Sequence, residues 1–298
     1  MYCRAELPNA GLANKLFPWA RCRVFSLEHG IPMLAPWWPQ LKLGPLLRGE
    51  RDWRLYTDLF ARGVPGQVMG PRRLWLRLWA PQVPEPADLH HAPSSGMPGA
   101  VVVFAGGDGF FQPLTGWHAV LQRELRAMTR RRWLLGADRV GEVRIGVHVR
   151  RGDFAVASAA EEFRWRGLLQ TPLSWFVDGL RAIRARTGHL VPATVVSDAP
   201  NSELRELLDE ARVSRVDTGS AIGDLLVLSR AKLLLGSGGS SFSAWAAFLG
   251  QMPAVTYPGQ SLDWFKLVPT HGQFIGVWQS GRALPDVLDA QLRGLLAA

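Results

Sequence analysis

From residue 143 onward, apolar runs of strand length alternate with segments of helical pattern, and the connections between them are mostly short. No other feature constrains the fold as much. The strand-like runs are Val143 to Val149, Ala193 to Val196, Lys232 to Leu235 and Ala254 to Tyr257. Between them, Thr171-Pro172 supplies an N-cap and a first-turn proline for a helix running to Gly188. Asn201 is placed to cap a helix from Glu203 to Arg212, Asp224 to Ala231 reads as helical, and Phe242 to Leu249 is a helix closed by Gly250. Strands joined through helices run parallel, and short right-handed crossovers wind them into a sheet covered on both faces. The predicted class is therefore α/β, with a doubly wound, Rossmann-like C-terminal half.

The N-terminal half is less regular. Leu16, Phe17, Ala20, Val24 and Leu27 recur at three- and four-residue spacing, which predicts a helix ending near Gly30. Pro32, Pro36 and Pro39 then break regular structure. Pro81 to Pro98 reads as a surface loop, Ala100 to Phe104 as a buried strand, and Trp117 to Thr129 as a helix. A chain of 298 residues, 47% hydrophobic, is long enough for two modest domains, here drawn at 1–138 and 139–298.

The net charge is +9 and arginine supplies most of it. A basic balance suits phosphorylated small substrates, nucleic acid or an anionic membrane surface. The densest basic run is only Arg130-Arg131-Arg132, which disfavours nucleic acid and leaves room for peripheral association with the inner face of a membrane. Arginine abundance together with Ala, Leu and Gly fits a GC-rich bacterial genome. Cys3 and Cys22 make neither a disulfide framework nor a metal site. No signal-peptide pattern stands at Met1 to Glu6 and no apolar run reaches about 18 residues, so a cytoplasmic location is expected.

In open α/β sheets ligands bind beyond the carboxyl ends of strands, where helix N-termini also point. Three such ends carry polar residues. At the first, His148 and Arg150 are two apart and project to the same side of an extended chain, while Arg151 projects away. A guanidinium fixed there is suited to bidentate contact with a diphosphate, and Asp153 is placed to hold it. The plain alternative is a surface Arg–Asp pair of little consequence. The second is the small-residue segment Gly236-Ser237-Gly238-Gly239-Ser240-Ser241-Phe242-Ser243, whose hydroxyls and helix-start N–H groups could meet phosphate, or which could be an ordinary loop with an N-cap serine. The third, Ser197-Asp198, fits a ribose or base contact and equally a common turn.

Taken together these segments resemble a known family. Gly146-Val147-His148-Val149-Arg150-Arg151-Gly152-Asp153-Phe154 is similar to the GVHxRRGD-aromatic block of the α1,2-fucosyltransferases, related forms of which occur in α1,6- and protein O-fucosyltransferases. Gly11-Leu12-Ala13-Asn14-Lys15-Leu16-Phe17 resembles their GLGNQ-M/L-F block, and Gly109-Phe110-Phe111-Gln112 their G-aromatic-aromatic-Q block. Ser197-Asp198 stands where SDD is usual. The segment from Asp224 to Lys232, followed by Ser240-Ser241-Phe242-Ser243-Ala244-Trp245, resembles their remaining blocks. The blocks come in the family's order across nearly the whole chain.

The resemblance implies a GT-B-like pair of facing Rossmann-like domains and inverting transfer of fucose from GDP-fucose to a glycan or glycolipid hydroxyl. The third block points to O2 of a galactose. It implies no cofactor, no metal and no obligate protein partner. Arg150 is expected at the β-phosphate, His148 beside guanine or phosphate, Asp224 at guanine, and Ser240, Ser241 and Phe242 along the phosphate pocket. Asn14 is expected near the sugar, from the N-terminal domain. Departures from the pattern are Ala13, Lys15, Ala199 and Ala244, and Lys15 and Ala199 bear on which substrate is taken. The general base stays open among Asp153, Glu161 and Glu162, with Asp153 better suited to holding an arginine. Trp37 to Trp53 and His90-His91 are candidate acceptor walls. Another GDP-sugar or linkage, α1,6 among them, and a nucleotide-sugar-binding module that has lost catalysis remain as alternatives.

Overall fold

The computed structural model describes residues 1–41, 54–61, 66–91, 97–157, 168–270 and 272–295. Glu161, Glu162 and Trp53 lie outside them. The described chain divides into two compact units, one drawn from Met1–Lys42 and Arg54–Arg130, the other containing Arg131–Ala298. The division falls eight residues ahead of the boundary read from the sequence. Helix Arg131–Asp138 explains the difference: Arg230 donates to the Ala137 and Val140 carbonyls at 2.6 and 3.0 Å, which ties its C-terminal end to the second unit.

The first unit is a parallel sheet of β1 (Tyr2–Glu6), β2 (Met33–Leu34), β3 (Gln67–Val68), β4 (Gln82–Pro84) and β5 (Val101–Ala105), in the order β3-β2-β1-β5-β4. β4 corrects the expectation of a loop throughout Pro81 to Pro98. Pro84 is tolerated because β4 is an edge strand, where a missing N–H can face outward. Helix Leu12–His29 follows β1, and Gly30 ends it in the left-handed conformation that glycine adopts without steric cost. The helix is buried nearly all round. Even Lys15 and Arg21 are inside, Lys15 donating to the Pro8 carbonyl at 2.7 Å and Arg21 paired with Glu85 at 3.1 Å.

The second unit is a parallel sheet of β6 (Ile145–Val149), β7 (Ala193–Ser197), β8 (Val213–Arg215), β9 (Leu233–Gly236), β10 (Ala254–Thr256) and β11 (Ile275–Val277), in the order β11-β10-β9-β6-β7-β8. The chain winds from β6 to β8 in one direction, then returns to β9 and winds to β11 in the other. This is the doubly wound Rossmann order, and it places the topological switch between β6 and β9. One core cluster, centred on Ile145, Val147, Trp175, Phe176, Leu233 and Leu235, fastens helix Leu173–Thr187 to the sheet.

Two helix starts differ from expectation. Thr171 donates its hydroxyl to Gln260 Oε1 at 2.7 Å instead of capping, and Pro172 takes the N-cap position. The segment from Asn201 forms a single-turn 3-10 helix and the short helix Arg205–Leu208, because the chain then turns outward and supplies β8. Asn201 accepts from Arg215 at 2.5 Å.

Candidate functional site

β6 is buried along its whole length, so its carboxyl end delivers His148 and Arg150 to a fixed place. Backbone pairing locks that end to the start of the small-residue segment. Ser237 N–H donates to the His148 carbonyl and Arg150 N–H donates to Ser237 Oγ, both at 2.9 Å. Ser237 is fully buried.

His148 points to the start of helix Ser241–Gly250. Its Nδ1 lies 2.7 Å from Ser243 Oγ and its ring stacks on Phe242, with centroids 4.9 Å apart. Burial, and secondarily the charge of Arg150, push His148 down to a pKa of about 3. It is a neutral imidazole at physiological pH. It can therefore orient and hydrogen-bond a ligand, but it brings no positive charge.

The charge comes from Arg150. Its guanidinium pairs with Asp153 in the loop just past the strand, and with Asp198 Oδ2 at 2.6 Å beyond β7. It also lies 5.6 Å from the Phe154 ring centroid. Asp198 accepts from Arg151 N–H at 2.8 Å as well, so one carboxylate fixes the backbone after β6 and the guanidinium on it. The Arg151 side chain turns away to Gln170 Oε1 at 2.7 Å, and Gln170 in turn donates to the Phe154 carbonyl at 2.9 Å. Ser197 Oγ accepts from Ala199 N–H at 3.1 Å, an ordinary turn contact.

Across the switch, Ser240 is the N-cap of helix Ser241–Gly250 and makes no side-chain capping bond. The first-turn N–H groups, with the positive end of the helix dipole, suit an anion. Ser240 is buried and Ser241 and Phe242 are half-buried. Gly238 is required here: a Cβ on it would lie 1.8 Å from the Gln260 carbonyl oxygen.

The structure thus brings His148, Arg150, Asp153 and Asp198 together with the Ser237–Ser243 segment at the carboxyl ends of the interior strands β6, β7 and β9. Asp224 lies in the first turn of helix Ala221–Leu228, where its Oδ1 accepts from Thr218 N–H and Thr218 Oγ1, both at 2.9 Å. It is shown closing that loop. Asn14 is exposed on helix Leu12–His29 of the other unit. Of the acceptor-wall candidates, Trp38 packs in the first unit's core, 4.2 Å from Phe60 between ring centroids. His90 and His91 engage Glu28 and Asp88, each at 2.8 Å.

The sequence alone assigns no separate role to Ser237, Ser243, Gln170 or Gln260. The two serines lay within a segment already singled out by its small residues. The two glutamines carry no local signal, because Gln170 and Gln260 act on loops that only the fold brings near.

No protein-family model matches this chain, and no curated protein matches it. Solved structures do. One is the NodZ α1,6-fucosyltransferase soaked with GDP-fucose, with TM-score 0.54 and 15% identity over 86% of this chain and 95% of that one. Another is NodZ α1,6-fucosyltransferase co-crystallised with GDP, with TM-score 0.53 and 15% identity over 86% and 94% of the two chains. The fucosyltransferase NodZ from Bradyrhizobium matches with TM-score 0.53 and 14% identity over 87% and 96%. At such identities the likeness is one of fold: two parallel α/β sheets of the GT-B type.

Proposed function

We propose that the chain is an inverting fucosyltransferase that takes fucose from GDP-fucose. The observation that carries this reading is Arg150 at the switch point, its guanidinium held between two carboxylates and its backbone N–H bonded to Ser237 in the segment that leads to an uncapped helix start. Direct displacement with inversion puts the acceptor hydroxyl on one face of the sugar and the leaving diphosphate on the other. Negative charge then grows on the β-phosphate. Arg150 and the first-turn N–H groups are suited to receive it, so no metal is called on for that task. Asp153 is the more exposed of the two carboxylates on Arg150, 41% against 21%, and is the one an incoming phosphate would displace. His148, neutral and stacked on Phe242, would orient the donor. Asn14 and Asp224 stay in this reading on the family resemblance. The blocks shared with the α1,2 enzymes favour O2 of a galactose as acceptor. The fold shared with an α1,6-fucosyltransferase favours an α1,6 linkage as the second reading, and linkage analysis of the product separates the two.

Calorimetry with GDP and ADP tests the donor. GDP is expected to bind more tightly, and equal affinities would remove the guanine assignment. Turnover of GDP-fucose, assayed with a chelator present, tests the chemistry. Loss of a preorganised donor to the transition state typically costs about 100- to 1,000-fold in kcat. Arg150→Lys is expected to fall in that range because a point charge cannot reproduce the planar fork. Near-normal turnover in Arg150→Ala would refute the mechanism.

A further inference from the structure

Helix Gly70–Trp79 presents an apolar face to solvent. Its inward side is Leu76, with Ala80 just beyond its end and Arg73 half-buried. On the opposite side Leu74, Trp75, Leu78 and Trp79 are 55, 58, 61 and 74% exposed. Their spacing of one, three and four residues gathers them into one stripe. Trp37, 61% exposed, adjoins the helix, with the Arg73 guanidinium 5.8 Å from its ring centroid. A contiguous exposed apolar strip of this kind marks an interaction surface.

The charges flanking the stripe have one sign. Arg72 lies along one border of the stripe and Arg77 along the other, by the helical period. Arg77 and Arg4 stand near enough to Arg73 to help lower its pKa after burial does, so cations crowd this edge. Arg4 is itself paired with Glu6 at 3.2 Å. From Ala61 to Pro84 the sequence has four arginines and no Asp or Glu.

We propose that this face docks on an anionic lipid surface, with Trp75 and Trp79 seated among the headgroups and Arg72 and Arg77 at the lipid phosphates. Exposed Trp and Leu bordered by Arg is the composition of a helix lying in the plane of a membrane interface. At ten residues the helix is about 15 Å long. A span needs roughly 20 apolar residues, so this helix lies on the surface. A second copy fits less well, because a two-fold contact through this stripe brings arginine against arginine with no acid on the helix to offset it. Such docking is independent of the reaction catalysed.

The test is co-flotation of the full chain with vesicles of phosphatidylcholine alone, or of about three parts phosphatidylcholine to one of phosphatidylglycerol. The protein is expected to float with the anionic vesicles only, and to be released at roughly 1 M salt, where the Debye length is about 3 Å. Arg72→Gln with Arg77→Gln should weaken binding about 30-fold. Trp75→Ser with Trp79→Ser should weaken it at least about tenfold. Both pairs are at the surface, and thermal melting confirms that each variant folds. Absence of flotation, flotation unchanged by both pairs, or concentration-dependent dimerisation lost in the tryptophan variant without vesicle binding would each overturn the proposal.

Discussion

At residue scale the most unusual environment is that of His148, whose pKa of about 3 compares with about 6.5 in an unfolded chain. The folded state holds this imidazole neutral, so acid favours the unfolded chain, where it is free to protonate. The resulting penalty on the folded state is absent above about pH 6.5 and grows as pH falls from there toward 3. Between pH 7 and pH 5 the loss of stability is about 2 kcal/mol. Urea titrations at the two values should show it. A His148→Asn variant, which keeps a partner for Ser243 and does not titrate, should lose that part of the acid limb. Equal slopes in the two proteins would mean that the imidazole does not titrate on unfolding as described. The sequence made half of this residue's situation legible. Period two along β6 puts His148 and Arg150 on one side, but the hydroxyl that holds the ring is 95 residues away. Nothing local announces Asp198 as the second carboxylate on Arg150 either, since it arrives from the neighbouring strand.

At the scale of elements, the β9-to-helix connection is set by one close approach. Gly238 passes the Gln260 backbone so tightly that a methyl group has no room. Gln260 cannot yield easily, because its side chain accepts from Thr171 at 2.7 Å and donates to the Leu169 carbonyl at 2.6 Å. Gly238→Ala should therefore shift the connection, lower stability by roughly 1–3 kcal/mol and weaken GDP binding with it. Gly141 provides the control, because a Cβ added there would meet nothing within 4 Å and its φ is not positive. Its replacement by Ala should stay within about 0.5 kcal/mol. Thermal melts and calorimetry on the pair decide it, and equal behaviour would remove the steric account. The buried elements here were readable from sequence in part: β6, β7 and β9 carry short apolar runs and the helices after β6 and β9 have clear stops, whereas the helix expected from Glu203 to Arg212 shrinks to Arg205–Leu208. β1 was not, although it is the central strand of its sheet, because Arg4 and Glu6 break the apolar run in its five residues. β4 hid among prolines that only an edge position tolerates.

At the scale of the whole molecule, the chain forms two parallel sheets in two compact units. The Rossmann switch of the second unit holds the fixed guanidinium, the neutral imidazole and the helix start, all from residues 148 to 243. If GDP is the ligand, its binding energy must appear first where those groups are. Saturation at about 100 times Kd adds roughly 2.7 kcal/mol against any opening that releases the nucleotide. Local openings that leave the nucleotide bound gain nothing. Amide exchange read segment by segment should therefore slow at the ends of β6 and β9 and in the first turn of helix Ser241–Gly250, to a similar degree in each. Openings confined to β1 and β5 of the first unit should keep their rates. Slowing confined to the first unit, or absent from the β6 end while calorimetry shows binding, would place the nucleotide elsewhere and remove Arg150 from the donor site.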